Sequence, residues 1–208
     1  MVEILPAILE KTFGAVQDKV ARLQGIASAA QLDIIDGDFI PGPTWKEHEQ
    51  LSALGGDIKF DVHLMVEKPE QWVKRWEAPN VFRLTFHQEA TYDVRRTAVL
   101  IKSLGKEAGV ALKIETPVSA IYDILEEIDL VLLMAVAPGG QGRAFDGRVV
   151  DKVKELRAHN ANIKIGVDGG VTPLVASSLV AAGANVLVSG SYLFSQTDIK
   201  SAIASLQV

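Results

Sequence analysis

Polar side chains stand at the ends of three short β-branched runs: Gln31-Leu-Asp33-Ile-Ile-Asp36-Gly37, Phe60-Asp-Val-His63-Leu-Met65 and Gly166-Val-Asp168-Gly169-Gly170. Side chains alternate faces along a strand, so Gln31, Asp33 and Ile35 share one face while Leu32, Ile34 and Asp36 share the other. A closed barrel would bring His63 and Asp168 from their own strand ends to the mouth that Asp33 faces. Two carboxylates, an imidazole and an amide oxygen form a ligand set suited to one divalent ion of the Mn, Fe, Co or Zn type. Spacing alone leaves a second reading open. A strand-end histidine is often a hydrogen-bonded packing residue, and an aspartate before glycine is often a turn residue, which is the reading adopted for Asp36.

Glycine turns give a separate signal at the other side of the same mouth. Ala137-Pro-Gly139-Gly140-Gln-Gly142 follows the sixth run, Asp168-Gly169-Gly170 the seventh and Ser189-Gly190-Ser191 the eighth. Barrels that bind phosphate do so near the loops after strands seven and eight, where backbone N–H groups converge on the anion. Arg143 either adds charge to this rim or is a solvated surface arginine. Lys113 reads as a Schiff-base candidate or as a lysine whose stem lines the barrel while its amine pairs with Glu115 or solvent. Trp45, Trp72 and Trp76 fit helix packing better than base stacking, and His48 and His159 have no visible partner.

The elements that must hold these groups follow from the alternation of short apolar runs with amphipathic segments. Strands are expected at 3–9, 31–35, 59–65, 81–87, 109–114, 130–136, 163–167 and 186–189. Helices are expected at 13–24, 46–54, 69–77, 92–105, 118–127, 146–158, 173–182 and 197–206. Pro69, Pro117 and Pro173 fall at first-turn positions, where a missing N–H costs nothing. This pattern predicts an α/β protein with a single (β/α)8 TIM-barrel domain over 1–208. The runner-up, a doubly wound open sheet, lacks its phosphate turn: Leu5-Pro6-Ala7-Ile8-Leu9 is followed by no Gly-x-Gly-x-x-Gly.

Composition narrows the function. The chain of 208 residues is 48% hydrophobic and 23% charged, which suits one compact core. Its net charge of −5, from 21 basic and 26 acidic residues, indicates neither a nucleic-acid groove nor a polybasic membrane patch. With no cysteine, disulfides, thiolate metal sites and a cysteine nucleophile are excluded. No signal-peptide pattern or membrane-length apolar run is seen, so a cytoplasmic protein is expected.

At this point the chain resembles the ribulose-phosphate 3-epimerase family, over nearly its whole length and in order. Leu5-Pro6-Ala7-Ile8-Leu9 is similar to that family's opening strand, and Gln31 to Pro41 to its second-strand signature. Asp61-Val-His63-Leu-Met65-Val66, His87-Gln-Glu89-Ala90 and Gly109-Val-Ala-Leu112 with Thr116-Pro117 resemble the next three strands. Leu133-Met134-Ala-Val136 with Pro138-Gly139 and Phe145, then Val167-Asp168-Gly169-Gly170-Val171 and Gly190-Ser191-Tyr-Leu-Phe194, complete the match.

The resemblance implies inversion of C3 of a ketopentose 5-phosphate: D-ribulose 5-phosphate to D-xylulose 5-phosphate, or a related ketose phosphate. It makes Asp33 and Asp168 the acid/base pair and metal ligands, with His63 a further ligand. Gly139, Gly140, Gly142, Gly169, Gly170, Gly190 and Ser191 would frame the phosphate, and Met65 and Met134 the apolar wall. The family's histidine ligand on strand two is Gln31 here, its strand-one serine is Ala7 and its strand-two methionine is Ile35. The strand-six loop also departs, reading Ala137-Pro-Gly-Gly-Gln-Gly-Arg143. An amide oxygen binds late first-row metals less well than imidazole, so Gln31 should lower affinity and favour harder ions. The implied partner is a small sugar phosphate, with homo-oligomerisation left open. The alternative reading is a non-catalytic sugar-phosphate-binding protein derived from the family. A barrel decarboxylase is disfavoured, since Asp61 is followed by Val62 and His63 rather than by Asp-x-Lys.

Overall fold

The computed structural model describes residues 2–139 and 144–208. Its parallel strands close into a barrel in chain order: β1 (Glu3–Ile8), β2 (Ala29–Ile35), β3 (Lys59–Met65), β4 (Val81–His87), β5 (Glu107–Leu112), β6 (Leu130–Met134), β7 (Lys164–Asp168) and β8 (Val186–Ser189). β8 returns to pair with β1 through Leu5 opposite Val188, so the sheet has no free edge. Five strands depart by one or two residues from their expected bounds: β1 ends at Ile8, β2 begins at Ala29, β5 runs from Glu107 to Leu112, β6 ends at Met134 and β7 runs from Lys164 to Asp168.

Alternation along each strand divides the barrel into an outer and an inner layer. Ile8, Leu32, Ile34, Val62, Leu64, Phe86, Val110 and Val131 point outward into the core shared with the helices. The inner layer is split. Leu5, Ala7, Leu130, Leu132, Met134, Val186 and Val188 make one apolar side, while β2, β3 and β4 bury Gln31, Asp33, Asp61, His63, Arg83, Thr85 and His87 on the other. Buried polar groups persist only with partners. Arg83 Nε donates to Asp61 Oδ2 at 2.8 Å and Nη1 to Glu107 Oε2 at 3.1 Å. Thr85 Oγ1 donates to Asp61 Oδ1 at 2.8 Å. Gly109 is needed beside them, because a Cβ there would run into Thr85.

The connections are α1 (Phe13–Leu23), α2 (Val94–Ser103), α3 (Arg148–His159), α4 (Pro173–Ala182), α5 (Ser191–Ser195) and α6 (Ile199–Ala204). Thr12, Asp93 and Asp198 cap α1, α2 and α6 by accepting N–H bonds from Ala15, Arg96 and Ser201. The expected helices at 46–54, 69–77 and 118–127 are instead 3-10 segments, His48–Leu54, Pro69–Gln71 with Val73–Trp76, and Val118–Ile124. None of these segments has a side chain capping its first N–H groups, in contrast to α1, α2 and α6. The eighth connection carries two short helices, α5 and α6, where 197–206 was expected alone. Among the described residues, no helix is long and apolar enough to cross a membrane.

Candidate metal centre and phosphate rim

The polar half of the barrel interior converges at the C-terminal ends of the strands. Asp33 of β2 lies beside its register partner His63 of β3, with His63 Nδ1 at 3.2 Å from Asp33 Oδ1 and 3.7 Å from Asp168 Oδ2. One ligand atom from each of Asp33, His63 and Asp168 lies within 4.8 Å of the others. The residues expected from strand alternation therefore meet, and Asp168 arrives from β7 on the far side of β1 and β8.

Gln31 reaches the same point, by a different atom from the one expected. Its Nε2 donates to Asp33 Oδ1 and to Asp168 Oδ2, each at 2.8 Å, while its Oε1 is buried without a partner. Two carboxylates facing each other attract the N–H₂ end of an amide, whereas a cation between them would attract the oxygen. The orphaned Oε1 and the hard carboxylate and imidazole donors fit a divalent ion: Asp33, His63 and Asp168 would hold it, and Gln31 would join by exchanging its amide ends.

The electrostatics follow from burial and crowding. Burial, then the Asp33 charge, pushes the Asp168 carboxyl up to about 7. Burial works to lower His63, but the hydrogen bond to Asp33 and the charges of Asp33, Asp168 and Asp61 outweigh it and raise the imidazole.

Behind His63 stands a group that the sequence reading passed over. His63 Nε2 faces His87 Nε2 at 3.0 Å, and His87 Nδ1 faces Glu89 Oε2 at 3.3 Å. Burial carries His87 down to about 4 despite the Glu89 hydrogen bond. Glu89 falls to about 2: burial opposes this, but hydrogen bonds from His87, Thr116 and the Lys113 N–H prevail. The signal was present in the alternation Arg83-x-Thr85-x-His87, which puts His87 on the inner face.

A cleft opens above this centre. Met65 and Met134 form part of its wall, as expected, and Ala7 lies in its lining. Ile35 instead packs with Ile40 and Met65, against Leu9 and Phe39. Gly139, Gly169, Gly170, Gly190 and Ser191 line the opposite rim; Gly140, Gly142 and Arg143 lie outside the described residues. Gly169 and Gly170 have φ of 108° and 65°, and a Cβ on Gly169 would run into Val136, so this turn admits only glycine without strain. Ser189 Oγ donates to Val171 O at 2.9 Å, tying β8 to the same turn. Asp36 is the turn residue expected, accepting from the N–H groups of Asp38, Phe39 and Glu67. The Lys113 ammonium lies over the Phe39 ring, 4.2 Å from the centroid.

The fold and site together define a (β/α)8-barrel enzyme with a carboxylate–imidazole centre and a glycine-lined rim at the strand C-termini. The ribulose-phosphate 3 epimerase family profile matches residues 3–194. The chain is 36% identical to the ribulose-phosphate 3-epimerase of Bacillus subtilis, covering 100% of this chain and 99% of that one. It is 38% identical to the chloroplastic ribulose-5-phosphate-3-epimerase of Arabidopsis thaliana, covering 98% and 75%, and 33% identical to the Escherichia coli K12 ribulose-phosphate 3-epimerase, covering 98% and 94%. Among solved structures, a mutant tryptophan synthase α-subunit from Pyrococcus furiosus superposes with a TM-score of 0.73 at 14% identity, covering 100% and 99% of the chains, a likeness of fold alone. The chain belongs to the ribulose-phosphate 3-epimerase family.

Proposed function

We propose that this protein is a metal-assisted isomerase that inverts C3 of D-ribulose 5-phosphate to give D-xylulose 5-phosphate. The observation that carries the reading is the meeting of Asp33 and Asp168, from β2 and β7, with His63 beneath one cleft. The C2 carbonyl acidifies the C3 hydrogen, so inversion requires one group to remove a proton from one face and another to return a proton to the other. Asp33 and Asp168 approach from strands separated by β1 and β8, which suits opposite faces. Asp168, raised to about 7, can hold a proton near neutral pH, and Asp33 takes the complementary role.

Held by Asp33, His63 and Asp168, with Gln31 as the fourth group, a Mn, Fe, Co or Zn ion would supply positive charge against the negative charge that develops on the substrate oxygens. The Gly169–Gly170 turn, Gly190 and Ser191 offer backbone N–H groups to the 5-phosphate, with Gly139 at the edge of the same rim. Met65 and Met134 keep the cleft wall apolar and exclude water from the reacting carbon. The reading treats 1–208 as one domain, takes a small sugar phosphate as partner rather than nucleic acid or membrane, and puts the enzyme in the cytoplasm on the pentose-phosphate route. A net charge of −5 argues against nucleic acid or an anionic membrane surface as partner. Incubation with D-ribulose 5-phosphate and each ion in turn should yield D-xylulose 5-phosphate. Tight binding of the sugar phosphate without conversion under any ion would favour a binding protein instead.

A further inference from the structure

His63 can ligate through Nδ1 only if that nitrogen is free of its proton, and the side chains behind the ring decide where the proton goes. Glu89 Oε1 accepts from the Lys113 N–H at 2.8 Å and from Thr116 Oγ1, so its other oxygen is left to face His87 Nδ1. A carboxylate only accepts; His87 must therefore donate through Nδ1–H. With no ion bound, His63 Nδ1 faces Asp33 Oδ1 at 3.2 Å and by the same rule donates to it; an ion takes the place of that proton and leaves the ring's remaining proton on Nε2. The two imidazoles meet Nε2 to Nε2 at 3.0 Å, and with His87 Nδ1 already donating to Glu89, its Nε2 is placed to accept that proton. The arrangement is clamped from three sides. Phe39 packs on the His87 ring at 5.1 Å between centroids. The rings of His63 and His87 lie within 25° of parallel. Lys152 Nζ of α3 donates to the carbonyls of Lys113 and Thr116, each at 2.7 Å, and so steadies the turn that holds Glu89.

We propose that His87 and Glu89 are positioning residues: the chain Glu89–His87–His63 holds the proton of His63 on Nε2 when an ion between Asp33 and Asp168 displaces the one on Nδ1. This rests on the metal-centre reading above, but its test involves no sugar. Outer partners of a ligating histidine fix its tautomer, and their loss typically costs roughly 10–100-fold in metal affinity. Here the partner is a second histidine whose own tautomer is set one step further out.

Glu89→Gln is nearly isosteric and should reverse the chain. Its amide oxygen would still accept from Lys113 and Thr116, turning an N–H₂ toward His87 Nδ1 and driving the His87 proton to Nε2. His63 Nε2 would then accept, and its proton would move to Nδ1, where it blocks a metal. Nitrogen-15 NMR of the imidazoles, with a zinc competition titration against a chelator, reads both effects. In the zinc-loaded wild type, His63 Nε2 should carry a proton and Nδ1 should show the zinc shift. In Glu89→Gln, the Nε2 proton should be lost and zinc affinity should fall about 10–100-fold, whereas His87→Gln, which can accept from His63 and donate to Glu89, should keep much more of it. A zinc-loaded wild-type His63 without an Nε2 proton, a zinc shift at Nε2, or unchanged zinc affinity in folded Glu89→Gln would overturn the proposal. The wild-type spectra decide by themselves if the variant does not fold, and failure to turn over the sugar would leave this result standing.

Discussion

Asp168→Asn should make the metal-free protein more stable while removing its activity. In the folded chain, burial and the neighbouring Asp33 charge carry this carboxyl from its ordinary 3.8 to about 7. At 1.36 kcal/mol per tenfold change in proton affinity, ionising it within the fold costs about 4 kcal/mol. The two aspartates titrate as a pair and His63 returns some of the cost, so a net gain of about 2–4 kcal/mol is expected on removing the charge. The sign is set by linkage. Below about pH 4 the group is protonated whether folded or unfolded, and nothing is lost; as pH rises toward 7 the unfolded chain ionises freely while the folded one resists, and stability falls; above 7 the loss is complete. The amide oxygen that the substitution introduces can still accept from Gln31 Nε2, so no new orphan is left there. For a chain of this size the gain is worth roughly 4–16 °C in Tm. Melting both proteins in chelator at pH 4.5 and pH 8 provides the measurement: the variant's advantage should be small at the lower pH and full at the higher. A variant less stable at pH 8, or one with the same advantage at both pH values, would refute the assignment of a strained carboxylate to Asp168.

Three further substitutions probe other parts of the structure. Gln31→His should tighten zinc or cobalt binding more than manganese binding, because imidazole favours the later ions; equal or absent gains in a metal titration would mean that the space beside Gln31 holds no ion. Asp61→Ala takes the fully buried one of its two carboxylates from Arg83, leaving Nη1 on Glu107 while Nε joins Nη2 without a partner, and should cost about 3 kcal/mol in urea unfolding, the low end for a broken buried pair. Gly169→Ala forces a side chain to a φ of 108° against Val136, and should cost about 1–3 kcal/mol in stability together with a raised KM for the sugar phosphate.

The strand order was legible because eight apolar runs alternate with amphipathic segments, and the inward face of β2 because strand side chains alternate with period two; Asp33, His63 and Asp168 follow once the barrel closes. The type of the helical connections was not. Leu51 and Leu54 in one segment and Val118, Ile121 and Ile124 in another repeat at spacings of three, which serve a 3-10 turn as well as an α-helix. Gln31 was placed correctly on its strand face, but which end of its amide meets the carboxylates depends on charge that only three-dimensional proximity reveals. His87 was passed over as a ligand-supporting residue because its partners, His63 and Glu89, come from a neighbouring strand and from the turn that follows its own. The rim glycines were readable as a group, yet the reason for Gly169 lies in Val136, a residue of a different loop.

Proton exchange at the reacting carbon tests the central claim most directly. Wild-type protein loaded with Mn, Fe, Co or Zn is incubated with D-ribulose 5-phosphate in deuterated water, beside Asp33→Asn and Asp168→Asn, and C3 is followed by NMR. The wild type should yield D-xylulose 5-phosphate carrying deuterium at C3, and neither variant should yield the epimer, since each lacks the proton transfer on one face. Absence of exchange with every ion, product that retains its original C3 hydrogen, or near-normal turnover in either variant would contradict the two-carboxylate account.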